Sequence, residues 1–201
     1  MKNDFLCVFD LDGTLYPKKS DITNKLRERV ISEISSVNNQ SYEVAKKMYF
    51  SLPEKYPNPY IGLSTLGITG KLYEKAFLSI DVNSHISRDE KLVALFKELS
   101  EKAKIHILSF GPIEYIDEML NALGVREYVS CIRSVSRTKD HYKGTYYDEL
   151  YRSGYREVVV VGDDYTNDLE PALKYNFSII HINDNHTIYN AIKKLLILSN
   201  T

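Results

Sequence analysis

The chain holds two cysteines in 201 residues and no tryptophan. Cys7 and Cys131 stand far apart inside apolar runs, so they read as free, buried thiols, and no paired-cysteine zinc spacing exists. An excess of one charge is lacking too: Lys+Arg 26 against Asp+Glu 27 leaves a net charge of -1. That excludes a nucleic-acid binder relying on a broad basic field, but not a local basic pocket for one phosphate. No apolar stretch approaches the roughly 18 residues a membrane span needs. The run Leu195-Leu196-Ile197-Leu198 follows Lys193-Lys194 and reads as the end of an amphipathic helix. Met1-Lys2-Asn3-Asp4 leads straight toward a strand with no signal-peptide pattern. There is no internal repeat and no low-complexity tract. These absences point to a cytoplasmic protein of one domain, or one domain with a small insert.

What is present is concentrated at strand ends. Phe5-Leu6-Cys7-Val8-Phe9 is an apolar run that reads as a buried strand. It stops at Asp10-Leu11-Asp12-Gly13-Thr14. Carboxylates at the carboxyl end of a buried parallel strand lie where open α/β sheets bind ligands. Two of them so close need a cation, or a shared proton, to coexist. Four further strands are expected at Lys104–Leu108, Tyr128–Ile132, Glu157–Val161 and Phe177–Ile182, with helical periodicity between them. Such alternation means βαβ units and a parallel sheet, an α/β Rossmann-like fold. Residues 17–86 break the pattern. They read as helices over Ile22–Ser36, Ser41–Leu52 and Lys71–Ser79, with the proline-rich stretch 53–62 as irregular chain. The expected division is a core of 1–16 and 87–201 with a helical cap of 17–86 inserted after the first strand.

The second strand ends in Ser109-Phe110-Gly111-Pro112, where a hydroxyl and fresh backbone N–H groups at a helix start suit an anion. As an isolated feature this is equally an ordinary helix cap, with Pro112 at the first helical position. The fourth ends in Gly162-Asp163-Asp164-Tyr165-Thr166-Asn167-Asp168. Three carboxylates there are costly unless a hard cation such as Mg²⁺ neutralises them. Between strands three and four, Lys139 and Lys143 each sit where a helix could start. A lysine there opposes the helix dipole, which suits a phosphate or carboxylate partner, the alternative being a solvated surface lysine, the commoner fate of any single one.

Aspartates, serine, lysine and aspartates at successive strand ends resemble, in that order, the haloacid dehalogenase (HAD) superfamily. The likeness spans about residues 5 to 182. It implies Asp10 as a nucleophile forming an aspartyl-phosphate and Asp12 as general acid, then base. It implies Mg²⁺ held by Asp10, the Asp12 carbonyl, Asp163 and Asp164. Thr14, Ser109, Phe110 and Gly111, with Lys143 or Lys139, would hold the phosphate, and Asp168 would orient the lysine. Dehalogenases proper lack the second aspartate, so Asp12 favours a phosphatase or phosphomutase. The implied substrate is a small phosphate ester. A helical cap and the run Asp12 to Lys18 resemble the pyrimidine 5′-nucleotidase branch, with Tyr49, Tyr56, Tyr60 and Gly62 near a base or sugar. Sugar phosphates and phosphoglycolate are the alternatives. A receiver-like signalling module or an inactive phosphate-binding protein is the non-enzymatic one. No nucleic-acid or membrane partner is expected, and both monomer and homodimer stay open.

Overall fold

The computed structural model describes residues 5–56, 58–135 and 141–199. Its centre is a five-stranded, all-parallel sheet in the order β3-β2-β1-β4-β5. The strands are β1 (Phe5–Phe9), β2 (Lys104–Ser109), β3 (Cys131–Ser134), β4 (Glu157–Gly162) and β5 (Ser178–His181). β1 lies in the middle and is buried along its whole length. Both its faces are covered, which is why its sequence is a continuous apolar run rather than an alternating one.

Successive side chains of a strand point to opposite faces, and the core divides accordingly. Cys7 and Phe9 join Ile105, Ile107, Val159 and Val161 in one apolar cluster. It is completed by α6 (Glu90–Ser100), α7 (Ile113–Leu123) and α10 (Ile188–Leu198). Leu6 and Val8 face the other way, with Val158 and Val160, toward α8 (Lys143–Arg152) and α9 (Glu170–Leu173). The αL glycine Gly124 closes α7, as its place after the last apolar residue predicts.

Between β1 and α6 the chain is helical: α1 (Asp21–Val37), α2 (Tyr42–Phe50), α3 (Leu52–Lys55), α4 (Pro59–Thr65) and α5 (Gly70–Leu78), then a 3-10 turn at Val82–Ser84. Three of these match the expected helices within one residue at each end, except that α2 ends at Phe50, two residues early. The proline-rich stretch corrects the expectation of irregular chain, since α3 and α4 both fall in it. Pro53 and Pro59 stand in first turns, where a missing N–H costs nothing, and the Asn58 side chain caps α4 by accepting from Tyr60 and Ile61 N–H. β3 starts later than expected, because Arg126–Tyr128 coil into a 3-10 turn. Pro112 is the N-cap residue of α7, one position before the expected one. The apolar residues of α1, α4 and α5 run continuously into the first cluster under the sheet.

Candidate active site

The carboxyl ends of β1, β2 and β4 meet at one place, and each delivers polar groups there. Asp10 follows β1 and is nearly buried. Its N–H donates to Val161 O at 2.9 Å, which extends the strand pairing by one residue and fixes the carboxylate's direction. Lys143 Nζ donates to Asp10 Oδ1 at 2.7 Å, and Thr14 Oγ1 donates to Oδ2 at 3.0 Å. Lys143 is the first residue of α8 and is 1 % exposed. Its second partner is Asp168 Oδ1, also at 2.7 Å. Burial opposes its charge, but Asp10 and Asp168 together hold it protonated above the usual lysine range. Burial, then the Asp10 charge, moves Asp168 upward. Asp168 Oδ2 accepts from the Asp164 N–H at 3.1 Å. A buried cation between two carboxylates is favourable only with such complete pairing.

Asp12 is set apart from this triad. Its Oδ1 is bonded by the Tyr16 hydroxyl and by the Tyr115 hydroxyl at 3.2 Å, and Ser109 Oγ donates to Oδ2 at 3.2 Å. Burial, and then the Asp10 charge, push its carboxyl up to about 6. Two neighbouring carboxylates thus differ in kind: Asp10 is gripped by a cation, whereas Asp12 is surrounded by neutral hydroxyls. Ser109 Oγ also accepts from the Gly111 N–H at 3.0 Å, so that amide is used inside the loop.

Asp163 closes the group. Its Oδ2 accepts from Lys18 Nζ at 2.7 Å. Asp10, Asp163 and Asp168 each offer one oxygen within 4.8 Å of the others, a set able to hold a divalent metal. Two glycines make room. A Cβ on Gly13, which has φ +90°, would meet Asp163 Oδ2 at 2.7 Å, and one on Gly162 would meet Asp168 Oδ2 at 2.5 Å.

The expected residues therefore converge, with differences in detail. The Thr14 hydroxyl, 2 % exposed, is spent on Asp10 rather than left for a phosphate. Asp164 is a helix cap: its Oδ1 accepts from Thr166 and Asn167 N–H, and its Oδ2 from Asn167 Nδ2. Of the two lysines, Lys143 is in the site, while Lys139 lies outside the described residues. Tyr60 and Gly62 are buried away from the cleft. Tyr60 stacks on His141 with ring centroids 3.5 Å apart, and Asn58 Nδ2 donates to His141 O at 2.8 Å. His141 is thus a contact between α4 and the chain before α8. Lys18, Tyr16 and Tyr115 are contributors that the sequence reading leaves out. Their partners lie in other parts of the chain or one turn away; Tyr16 and Lys18 fall in the run Asp12 to Lys18, which gave them no role, and no motif marks Tyr115.

A family model for haloacid dehalogenase-like hydrolases matches residues 6–175. The chain belongs to this family. Among solved structures, a HAD phosphatase from Thermococcus onnurineus superposes with TM-score 0.67 at 19% identity, covering 94% of this chain and 97% of that one. A haloacid dehalogenase-like hydrolase from Streptococcus pneumoniae gives 0.58 at 14%, covering 91% and 86%. YfnB from Bacillus subtilis, a HAD-hydrolase bound to magnesium, gives 0.58 at 13%, covering 98% of each. Dehalogenases share the fold as well. Comparison with curated proteins finds no match. At these identities the structures show the fold of a HAD-like hydrolase and not its substrate. Among the described residues no helix is long and apolar enough to cross a membrane.

Proposed function

We propose that this HAD-like hydrolase is a Mg²⁺-dependent phosphatase of small phosphomonoesters, working through an aspartyl-phosphate on Asp10. The observation that carries the reading is Asp12. It stands two residues from Asp10, bonded to Tyr16, Tyr115 and Ser109, with its carboxyl pushed up to about 6. A group poised near neutral pH can both give and take a proton. Displacement of a halide from carbon needs no proton donor, so an acid/base at this spot favours a leaving alkoxide.

Asp10 attacks phosphorus as the ester P–O bond breaks, and Asp12 gives its proton to the departing oxygen. Asp12 then takes a proton from the water that attacks the acyl phosphate. Phosphate leaves and Asp10 is regenerated. Thr14 and Lys143 hold the Asp10 carboxylate in place throughout. Ser109 and the Phe110 amide fit a role in orienting the phosphate. The carboxylates of Asp10 and Asp163 suit magnesium, which takes hard oxygen ligands, and together with the Asp12 carbonyl they would hold it. When bound it supplies positive charge against the phosphoryl oxygens. Helices α1–α5 act as a cap over the site.

The test is phosphate release from p-nitrophenyl phosphate, UMP, phosphoglycolate and glucose 6-phosphate, with Mg²⁺ or EDTA. Release that needs Mg²⁺ and disappears in Asp10→Asn is the expected result. Retention of more than a few per cent of turnover in that variant would remove Asp10 from the nucleophile's role.

A further inference from the structure

A cleft of about 450 Å³ opens from the carboxylate floor toward the helical insertion. Its floor is polar, with Asp10, Asp12, Ser109 and Asp163. Its opposite wall is not. α1 contributes Leu26 and Val30, four residues apart and so on one helix face. α5 contributes Tyr73 and Phe77 at the same spacing, and Leu52 and Leu63 come from α3 and α4. Tyr49 and Tyr56 add two half-buried aromatic faces.

Among the described residues the polar groups on that wall are Lys18, Thr23, Arg27 and the hydroxyls of Tyr49, Tyr56 and Tyr73, the last of which donates to Phe110 O at 3.2 Å. The Thr23 hydroxyl is bonded to Ser20 Oγ at 2.8 Å, and Arg27 Nη1 donates to Asn24 Oδ1 at 3.1 Å. Lys18 is paired with Asp163. Among the described residues, no carboxylate or carboxamide of the insertion lines the cleft. A polyol pressed against Leu26, Val30, Leu52, Leu63 and Phe77 would lose its water and find no partner on those side chains, which is costly for each hydroxyl left unpaired. An apolar ring would lose nothing and cover hydrocarbon.

We propose that the leaving group this cleft accepts is a hydrophobic, ring-bearing alcohol rather than a sugar or other polyol, with Leu26, Val30, Tyr73 and Phe77 as the residues that select it. This rests on the phosphatase reading for the floor, but binding can be measured without turnover. The probes are two methylene phosphonates that cannot be hydrolysed: 3-phenylpropylphosphonate and 3,4-dihydroxybutylphosphonate. Each is titrated calorimetrically into the full chain in Mg²⁺, and phosphate release from 2-phenylethyl phosphate is assayed beside them.

The phenyl compound is expected to bind about tenfold tighter or more. Leu26→Asn is expected to erase most of that preference without weakening the diol compound. Val30→Thr, which keeps the side chain's shape, gives a smaller loss in the same direction and serves if Leu26→Asn does not fold. Equal affinities, a diol preference or no binding by either probe would overturn the proposal. Preference without phosphate release would uphold the cleft's selectivity and sink the phosphatase reading. Release without preference would do the reverse.

Discussion

Asp12 is held in an environment that favours its acid form, and this has a thermodynamic side. Its carboxyl titrates at about 6 in the fold against 3.8 without it. The native state therefore binds the proton more tightly than the unfolded chain. Ionisation costs stability, a cost absent below about pH 4 and complete above about pH 6. Asp12→Asn at pH 7.5 without metal should raise stability by on the order of 2 kcal/mol, read by denaturant unfolding, while turnover falls. A variant less stable than the parent at pH 7.5 would show that the site does not strain this carboxyl. The kinetic counterpart lies in the free enzyme's pH profile. kcat/KM for an alkyl phosphate should fall as pH rises through about 6, because the donor form is lost. p-Nitrophenyl phosphate, whose leaving group needs no proton, should show a much weaker fall, and Asp12→Asn should remove the contrast.

At the scale of elements, the turn after β4 does two jobs with adjacent carboxylates. Asp163 faces the cleft, while Asp164 caps the π-helical turn Tyr165–Leu169 that carries Asp168 back to Lys143. Asparagine caps helices as well as aspartate does. Asp164→Asn should therefore leave unfolding and Mg²⁺ affinity close to the parent's, whereas Asp164→Ala should cost about 1 kcal/mol and weaken Lys143's anchorage. A large loss of Mg²⁺ affinity in Asp164→Asn, by calorimetry, would make it a metal ligand instead of a cap. These elements also separate what could be read from the chain and what could not. β1, β4 and the carboxylates behind them were legible because a buried strand ending in charge is a local pattern, and β2 was legible as an apolar run ending in Ser109. Lys143 as a helix start was legible for the same reason, though nothing local chose it over Lys139. The short helices α3 and α4 were hidden, since Pro53 and Pro59 look like breakers until their first-turn positions are known. Tyr115 was hidden because its partner Asp12 is on another strand's loop, and no periodicity encodes that meeting.

For the molecule as a whole, the dominant electrostatic fact is three clustered carboxylates with Lys143 and Lys18 against them. A divalent ion that binds the folded site and not the unfolded chain stabilises the fold by mass action. Raising Mg²⁺ from zero to 10 mM should therefore shift the thermal midpoint upward, by a few degrees if the site is filled in the millimolar range. The same addition to Asp163→Asn should shift it much less. An equal shift in both would mean that the ion stabilises through the surface at large.

The position of β1 also sets a schedule. The strand that ends at Asp10 is the middle of the sheet, yet its two partners are Lys104–Ser109 and Glu157–Gly162. During synthesis five consecutive apolar residues wait, unpaired on both edges until β2 is made and on one edge until β4 is made. Distant pairing of this kind slows folding and leaves an adhesive segment open to other chains. Asp163 and Asp168 follow β4, so the carboxylate cluster is complete only after that strand, and aggregation is the hazard of the nascent chain's early life.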